Sequence, residues 1–231
     1  MNTEGHKVLV VAAHPDDEVL GCGGTIANHS MAGDTVFILL LSNGVASRDI
    51  AEVALLEQQI QQRKVSAEKA AKVLGAQVLE LLGYPDNRMD SVDLLDVVKN
   101  VESYINGIHP DIVYTHHSSD VNIDHRIVHD AVIAACRPQP GESVKKLLFF
   151  EVPSSTEWRP GSSMQPFSPG YFVDISVTLE KKLKALEVYH QEMRDFPHPR
   201  SIEACQYLAR WRGATIGVEA AEAFEVGRII A

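Results

Sequence analysis

The 231-residue sequence predicts one α/β domain, a mostly parallel β-sheet sandwiched between helices. Three observations carry that expectation. Short valine-rich apolar runs recur without polar alternation, as strands covered on both faces require. Longer stretches of helical composition separate them, and parallel strands need such crossovers. The length and a 45% apolar content supply one sizeable core, with no solenoid repeat or linker to divide it, so the domain is expected to span residues 1–231.

The elements follow in order. Residues 7–13 (KVLVVAA) read as a buried strand that runs directly into a helix, which places HPDDE at the strand-to-helix junction. Residues 34–41 form the second strand, closed by the loop Ser42-Asn43-Gly44. A helix over about 50–74 ends at Gly75, a residue suited to a helix C-terminus. Residues 77–82 return to strand, and Tyr84-Pro85-Asp86-Asn87 makes a turn before a helix over 92–105. Residues 111–115 (DIVYT) are another buried strand, and the next helix starts at Ile123 or Asp124 and runs to Cys136. Strands over 146–152 and 171–175 flank a long Pro/Ser/Gly-containing connection, 153–170, of the kind that forms functional loops. Helices are expected over 179–193 and 202–212, interrupted by Pro197 and Pro199, and the tail from 217 onward carries no clear secondary-structure signal.

Composition excludes several function classes. The 31 acidic residues outnumber 21 basic ones for a net charge of -10, so nothing attracts nucleic acid or an anionic membrane in general. The longest apolar runs fall far short of a membrane span, and residues 1–7 lack the pattern of a secretory signal, so a cytoplasmic location without membrane insertion is expected. Cys22, Cys136 and Cys205 are widely separated and read as buried thiols. Monomer and symmetric homo-oligomer both stay open.

In an open α/β sheet, ligand chemistry collects at the carboxyl ends of the strands. His14 to Glu18 occupies that position after the first strand and Asp120 to His125 after the 111–115 strand. Together they offer imidazoles and carboxylates, donors suited to a catalytic zinc ion with one open position. His14 and Asp17 are three apart, so one helical turn directs both toward one ion, and Asp16 is left beside a bound water to accept its proton. The plainer alternative is that Asp16, Asp17 and Glu18 cap a helix and that His125 lies on a helix surface.

Residues 13–18 (AHPDDE), with Gly21, Gly23 and Gly24 behind them, resemble the signature of the LmbE-like (PIG-L) family of N-acetylglucosaminyl deacetylases. The resemblance continues through Ser42-Asn43-Gly44, the 63–75 helix, DVNIDH at 120–125 and residues 220–224, and so covers nearly the whole chain. It implies a Rossmann-like layered fold, His14, Asp17 and His125 as ligands of one Zn2+, and Asp16 as general base. The implied reaction is hydrolysis of an N-acyl group, typically acetyl from glucosamine joined to a lipid, cyclitol, thiol-precursor or nucleotide aglycone. One departure stands out: several members carry a second histidine three residues before the metal-binding one, where this chain has Asn122. An asparagine amide can donate to an oxyanion but is no practical general acid, so proton donation falls to another residue or back to Asp16.

Further candidates are less sharply marked. His198, in the constrained HPRS segment, suits a leaving-group acid, and Arg200 beside it suits a phosphate or carboxylate. Arg48 and Arg63 are expected to contribute to the same cleft, which favours an anionic small-molecule N-acyl amino sugar such as a sugar nucleotide. Asp120 or Asp124 is expected to orient His125 through its second ring nitrogen. A metal-containing sugar-binding protein without catalysis and a zinc amidase acting on a nonsugar amide stay open. Dinucleotide binding is disfavoured, because acids stand where a pyrophosphate needs backbone donors.

Overall fold

The computed structural model describes residues 5–45, 53–162 and 164–231. Strand β1 (Lys7–Ala12) lies at the centre of a seven-stranded sheet. Around it the chain builds α1 (Asp17–Ala32), β2 (Thr35–Ser42), α2 (Val53–Leu74), β3 (Gln77–Tyr84), α3 (Leu94–Ile108), β4 (Ile112–His116) and α4 (Ile123–Ala135). β5 (Lys146–Phe150), β6 (Tyr171–Asp174), α5 (Leu179–Val188), α6 (Ile202–Ala214) and β7 (Ala221–Ile229) complete it. The strand order is β3-β2-β1-β4-β5-β7-β6. The first five are parallel, and β7 runs antiparallel to both neighbours.

The unbroken apolar character of β1 follows from its place. Val8, Val10 and Ala12 face the core under α1, α2 and α5, while Leu9, Val11 and Ala13 face the core under α3 and α4. With side chains alternating across the pleat, both faces of the strand are buried, and polar residues have nowhere to go. β1 also lies where the strand order reverses, between β2 on one side and β4 on the other. A crevice opens at the carboxyl ends of strands at such a reversal, so the segments after β1 and β4 meet there although over a hundred residues separate them in sequence.

The glycines behind AHPDDE serve packing. A Cβ on Gly21 would stand 2.3 Å from the Phe150 ring, so only glycine lets α1 lie this close to β5. α1 breaks at Cys22, whose φ of -147° is not helical. The exposed backbone of the break is satisfied from the tail: Glu222 on β7 accepts from Gly24 and Thr25 N–H (3.0 and 2.7 Å), and Lys182 donates to Leu20 C=O (2.9 Å) and to Glu222 (2.6 Å).

One expectation needs correction, and one unassigned segment gains a structure. α5 stops at Val188 instead of continuing to 193, because Tyr189 turns into the core, where its hydroxyl donates to Glu18 Oε1 at 2.7 Å. The tail, unassigned from sequence, is β7, inserted between β5 and β6 with Phe224 buried against Tyr114. Among the described residues no helix is long and apolar enough to cross a membrane.

Candidate active site

The turn after β1 is wound tightly. Asp16 takes a φ of 116°, a region that costs a non-glycine residue backbone strain. Local bonds hold it there: its N–H donates to Glu18 Oε2 (3.0 Å), and its carbonyl accepts from Val19 and Leu20 N–H (3.1 and 2.9 Å). Its carboxylate makes no capping bond, although Asp16 stands at the N-cap of α1. The side chain is instead turned into a cleft, where Arg200 Nη1 meets it at 3.1 Å. The capping alternative therefore does not describe Asp16.

Asp17 and the two histidines converge on a common point. Asp17 Oδ2 lies 3.2 Å from His14 Nδ1 and 3.2 Å from His125 Nε2, with all three residues buried. Asp17 Oδ1 and His125 Nε2 have no hydrogen-bond partner. Buried polar atoms without partners are costly unless something else fills the role. Donors about 2.0–2.1 Å from a tetrahedral ion stand roughly 3.3 Å apart, so the spacing and the two-nitrogen, one-oxygen donor set fit a zinc-like cation.

Behind each histidine stands a carboxylate, the arrangement that fixes tautomer and ring orientation in metal sites. His125 Nδ1 lies 3.1 Å from Asp120 Oδ2, and Asp120 is held by the Ser155 hydroxyl and by Thr156 Oγ1 (2.8 Å). His14 Nε2 donates to Asp124 Oδ2 (2.9 Å) with Asp86 Oδ1 at 3.3 Å. His14, Asp86 and Asp124 form a second triad of potential ligands. Both oxygens of Asp124 are already engaged by backbone N–H groups, from Asn87 at 2.7 Å and Met89 at 3.0 Å, which marks this triad as the hydrogen-bonding shell of His14. His116 stacks on His125 with centroids 4.0 Å apart, and its Nε2 accepts from Ala13 N–H.

The electrostatics leave an excess of negative charge for a cation. Burial opposes protonation of His125, but Asp17 and Asp120 overcome it and push the imidazole up to about 9. His14 is likewise penalised by burial, yet Asp124, Asp17 and Asp86 raise it well above the ordinary range. Burial would raise Asp17, but His125 and His14 hold it well below a usual carboxylate. Burial raises Asp16, an effect partly offset by Arg200.

The cleft is walled by His14, Asp16, Gly44, Arg63, Asp86, Asn87, Asn122, Glu192 and Arg200. Arg63 Nη1 pairs with Glu192 Oε1 at 3.0 Å and passes over Gly44, where a Cβ would stand 2.9 Å from Arg63 Nη2. Asn122 caps α4, its Oδ1 accepting from Asp124 N–H (2.8 Å) and its amide donating to Asn87 Oδ1 (3.1 Å). Of the arginines expected here, Arg63 and Arg200 line the cleft, and Arg48 lies outside the described residues. His198 is not among the lining residues: its Nδ1 accepts from Arg200 N–H (3.0 Å), and its ring meets Trp158 edge-on. Sequence reasoning assigned no role to Glu192, Ser155 or Thr156, and read Asp86 as part of a turn that shapes a wall of the pocket, where the structure places it.

A family model described as PIG-L, GlcNAc-PI de-N-acetylase, matches residues 9–136. The chain is 31% identical over 153 residues to the uncharacterised deacetylase YaiS of Escherichia coli (strain K12), covering 64% of this chain and 75% of that protein. It is 29% identical over 205 residues to 4-oxalmesaconate hydratase of Pseudomonas putida, covering 81% and 74%. It is 27% identical over 206 residues to diacetylchitobiose deacetylase of Thermococcus kodakarensis, covering 80% and 70%. In fold it is similar to the N,N'-diacetylchitobiose deacetylase structure from Pyrococcus horikoshii, with a TM-score of 0.76 at 23% identity over 96% of this chain and 84% of that one.

Proposed function

The chain belongs to the PIG-L family, and on that premise we propose that it is a zinc-dependent hydrolase that removes an N-acyl group, acetyl in the first instance, from an amino sugar or its conjugate. One observation carries the reading: His14 Nδ1, Asp17 Oδ2 and His125 Nε2 converge beside a polar cleft that His14 lines and into which Asp16 also turns. The similarity to diacetylchitobiose deacetylase supports an amino sugar as the substrate class.

His14, Asp17 and His125 would hold the ion, with Asp120 and Asp124 orienting the two imidazoles. A divalent ion bound there supplies a Lewis acid for the acyl carbonyl and an acidified water. Asp16 takes the proton of the attacking water. Its carboxylate is free of any capping bond and is kept in the cleft by Arg200. The departing amine needs that proton, and Asp16, whose burial favours the protonated form, returns it to the nitrogen. This removes the need for a separate acid at Asn122, whose amide is left to orient the substrate oxygen from the cleft wall.

The test is acetate and free amine released together from N-acetylated free, thiol-linked and nucleotide-linked sugars by the zinc-loaded protein. Metal retention should fall in the alanine variants of His14, Asp17 and His125. Absence of both products across the panel, or undiminished metal in all three variants, would overturn the reading. A second reading keeps the same centre and changes the electrophile to an unsaturated carboxylate that adds water. The likeness to 4-oxalmesaconate hydratase over 81% of the chain favours it, as do the two arginines in the cleft. Loss of conjugated-alkene absorbance without amine release would select it.

A further inference from the structure

A second hollow, different in character, lies beside the cleft. Pro153, Pro197, Pro199, Ala204 and Leu208 wall it. Its two carboxylates are engaged by the protein itself: Glu151 takes the Arg212 guanidinium through both oxygens (2.8 and 2.7 Å), and Glu157 accepts from Ser154 and Ser155 N–H (2.7 and 3.2 Å). The surface left toward the hollow is mainly carbon. Its volume is about 290 Å³, against roughly 150 Å³ for an apolar cavity that admits benzene. A substituted aromatic ring or a short branched chain fits.

We infer that this hollow is the subsite for an apolar aglycone, an aryl or short alkyl group carried by the substrate whose amino sugar occupies the cleft. The inference rests on the function proposed above. Polarity is the first argument: apart from Gly44 and main-chain atoms the cleft presents polar side chains, so an apolar group gains nothing there, whereas the hollow removes it from water. Continuity is the second. Pro199 walls the hollow and Arg200, the next residue, walls the cleft, so the two sites share one stretch of chain. The third is construction: Pro153 and Glu157 bracket Ser155 and Thr156, which hold Asp120 and through it His125. The two loops that wall the hollow therefore also hold Asp120 and Asp16, and Trp158 joins them where its ring meets His198, 5.8 Å between centroids.

The experiment compares kcat/KM of the zinc-loaded protein for the methyl and phenyl glycosides of N-acetylglucosamine, each in its better-accepted anomer. Burial of a phenyl ring predicts a preference of tenfold or more for the phenyl glycoside. Ala204→Trp, which fills the hollow, should bring that ratio near one. Leu208→Ala, which widens the hollow, should move the preference toward a naphthyl glycoside, a gain that misfolding does not produce. A wild-type ratio near one, or a ratio that Ala204→Trp leaves unchanged, overturns the inference. So does a dimer dissociated by Ala204→Trp with the ratio intact, which would assign the hollow to a second copy of the chain. If no N-acetylated sugar is hydrolysed, the deacetylase reading fails on its own, and the hollow is judged by saturation-transfer NMR with the phenyl glycoside. Transfer to the ring protons lost in Ala204→Trp upholds it, and equal transfer in both proteins overturns it.

Discussion

Asp120→Asn separates two effects that one carboxylate exerts on the proposed metal centre. Asp120 Oδ2 lies 3.1 Å from His125 Nδ1, and with Asp17 it pushes that imidazole up to about 9. An incoming ion must displace this proton below pH 9. At pH 7 the competition weakens apparent affinity by about 100-fold, two pH units below the pKa, and it vanishes above pH 9. The same carboxylate would make His125 a better ligand in the proposed centre, and loss of such a partner typically costs about 10- to 100-fold in affinity. The asparagine variant loses the second effect at every pH and is relieved of the first only at low pH. Asp17, the larger cause of the raised imidazole, remains in the variant, so its deficit should be about 10- to 100-fold at pH 9 and smaller, without vanishing, at pH 7. Zinc titrations by calorimetry in buffers of different ionisation enthalpy read both quantities. The wild type should release more protons on binding at pH 7 than the variant. Equal proton release, or an affinity ratio constant from pH 7 to 9, would refute the reasoning.

Asp16→Asn should keep the metal and lose about 10²- to 10⁴-fold in kcat; single-turnover acetate release at saturating substrate measures it, and wild-type turnover would remove Asp16 from the chemistry. Arg200→Gln should raise KM more for a carboxylated or phosphorylated amino sugar than for a neutral one, and equal losses on both would count against an anion contact. His198→Gln should leave the alkaline limb of the pH–rate profile unchanged, since His198 does not line the cleft and Asp16 is the proposed proton shuttle; a flattened limb would restore His198 as the acid. Glu222→Gln leaves Lys182 buried without its counter-charge at the α1 break and should cost about 3–5 kcal/mol in stability, read from the urea midpoint at constant slope.

The parts of the molecule legible in the sequence share a property: their signal is local. β1 reads as a strand because both its faces are buried, and HPDDE announces its chemistry because His14, Asp16 and Asp17 all come from one turn. His125 was found because α4 begins just after β4, at the same edge of the sheet. β7 was not legible, because Ala-Glu-Ala-Phe-Glu has the composition of a helix and becomes strand only by pairing with β5 and β6 at once. The end of α5 depends on a hydrogen bond from Tyr189 to Glu18, at the other end of the chain. Glu192 reaches the cleft just beyond that helix end, so a misplaced terminus hides a cleft residue. Ser155 and Thr156 are hidden for the same reason, since nothing nearby in sequence shows that they hold Asp120. The reacting groups thus come from segments adjacent to the central strands, while Glu192, Arg200 and the hollow's walls come from later segments that fold back over them. A sequence containing the same turn can therefore keep the proposed hydrolytic centre and change its substrate, because the two are written in different parts of the chain.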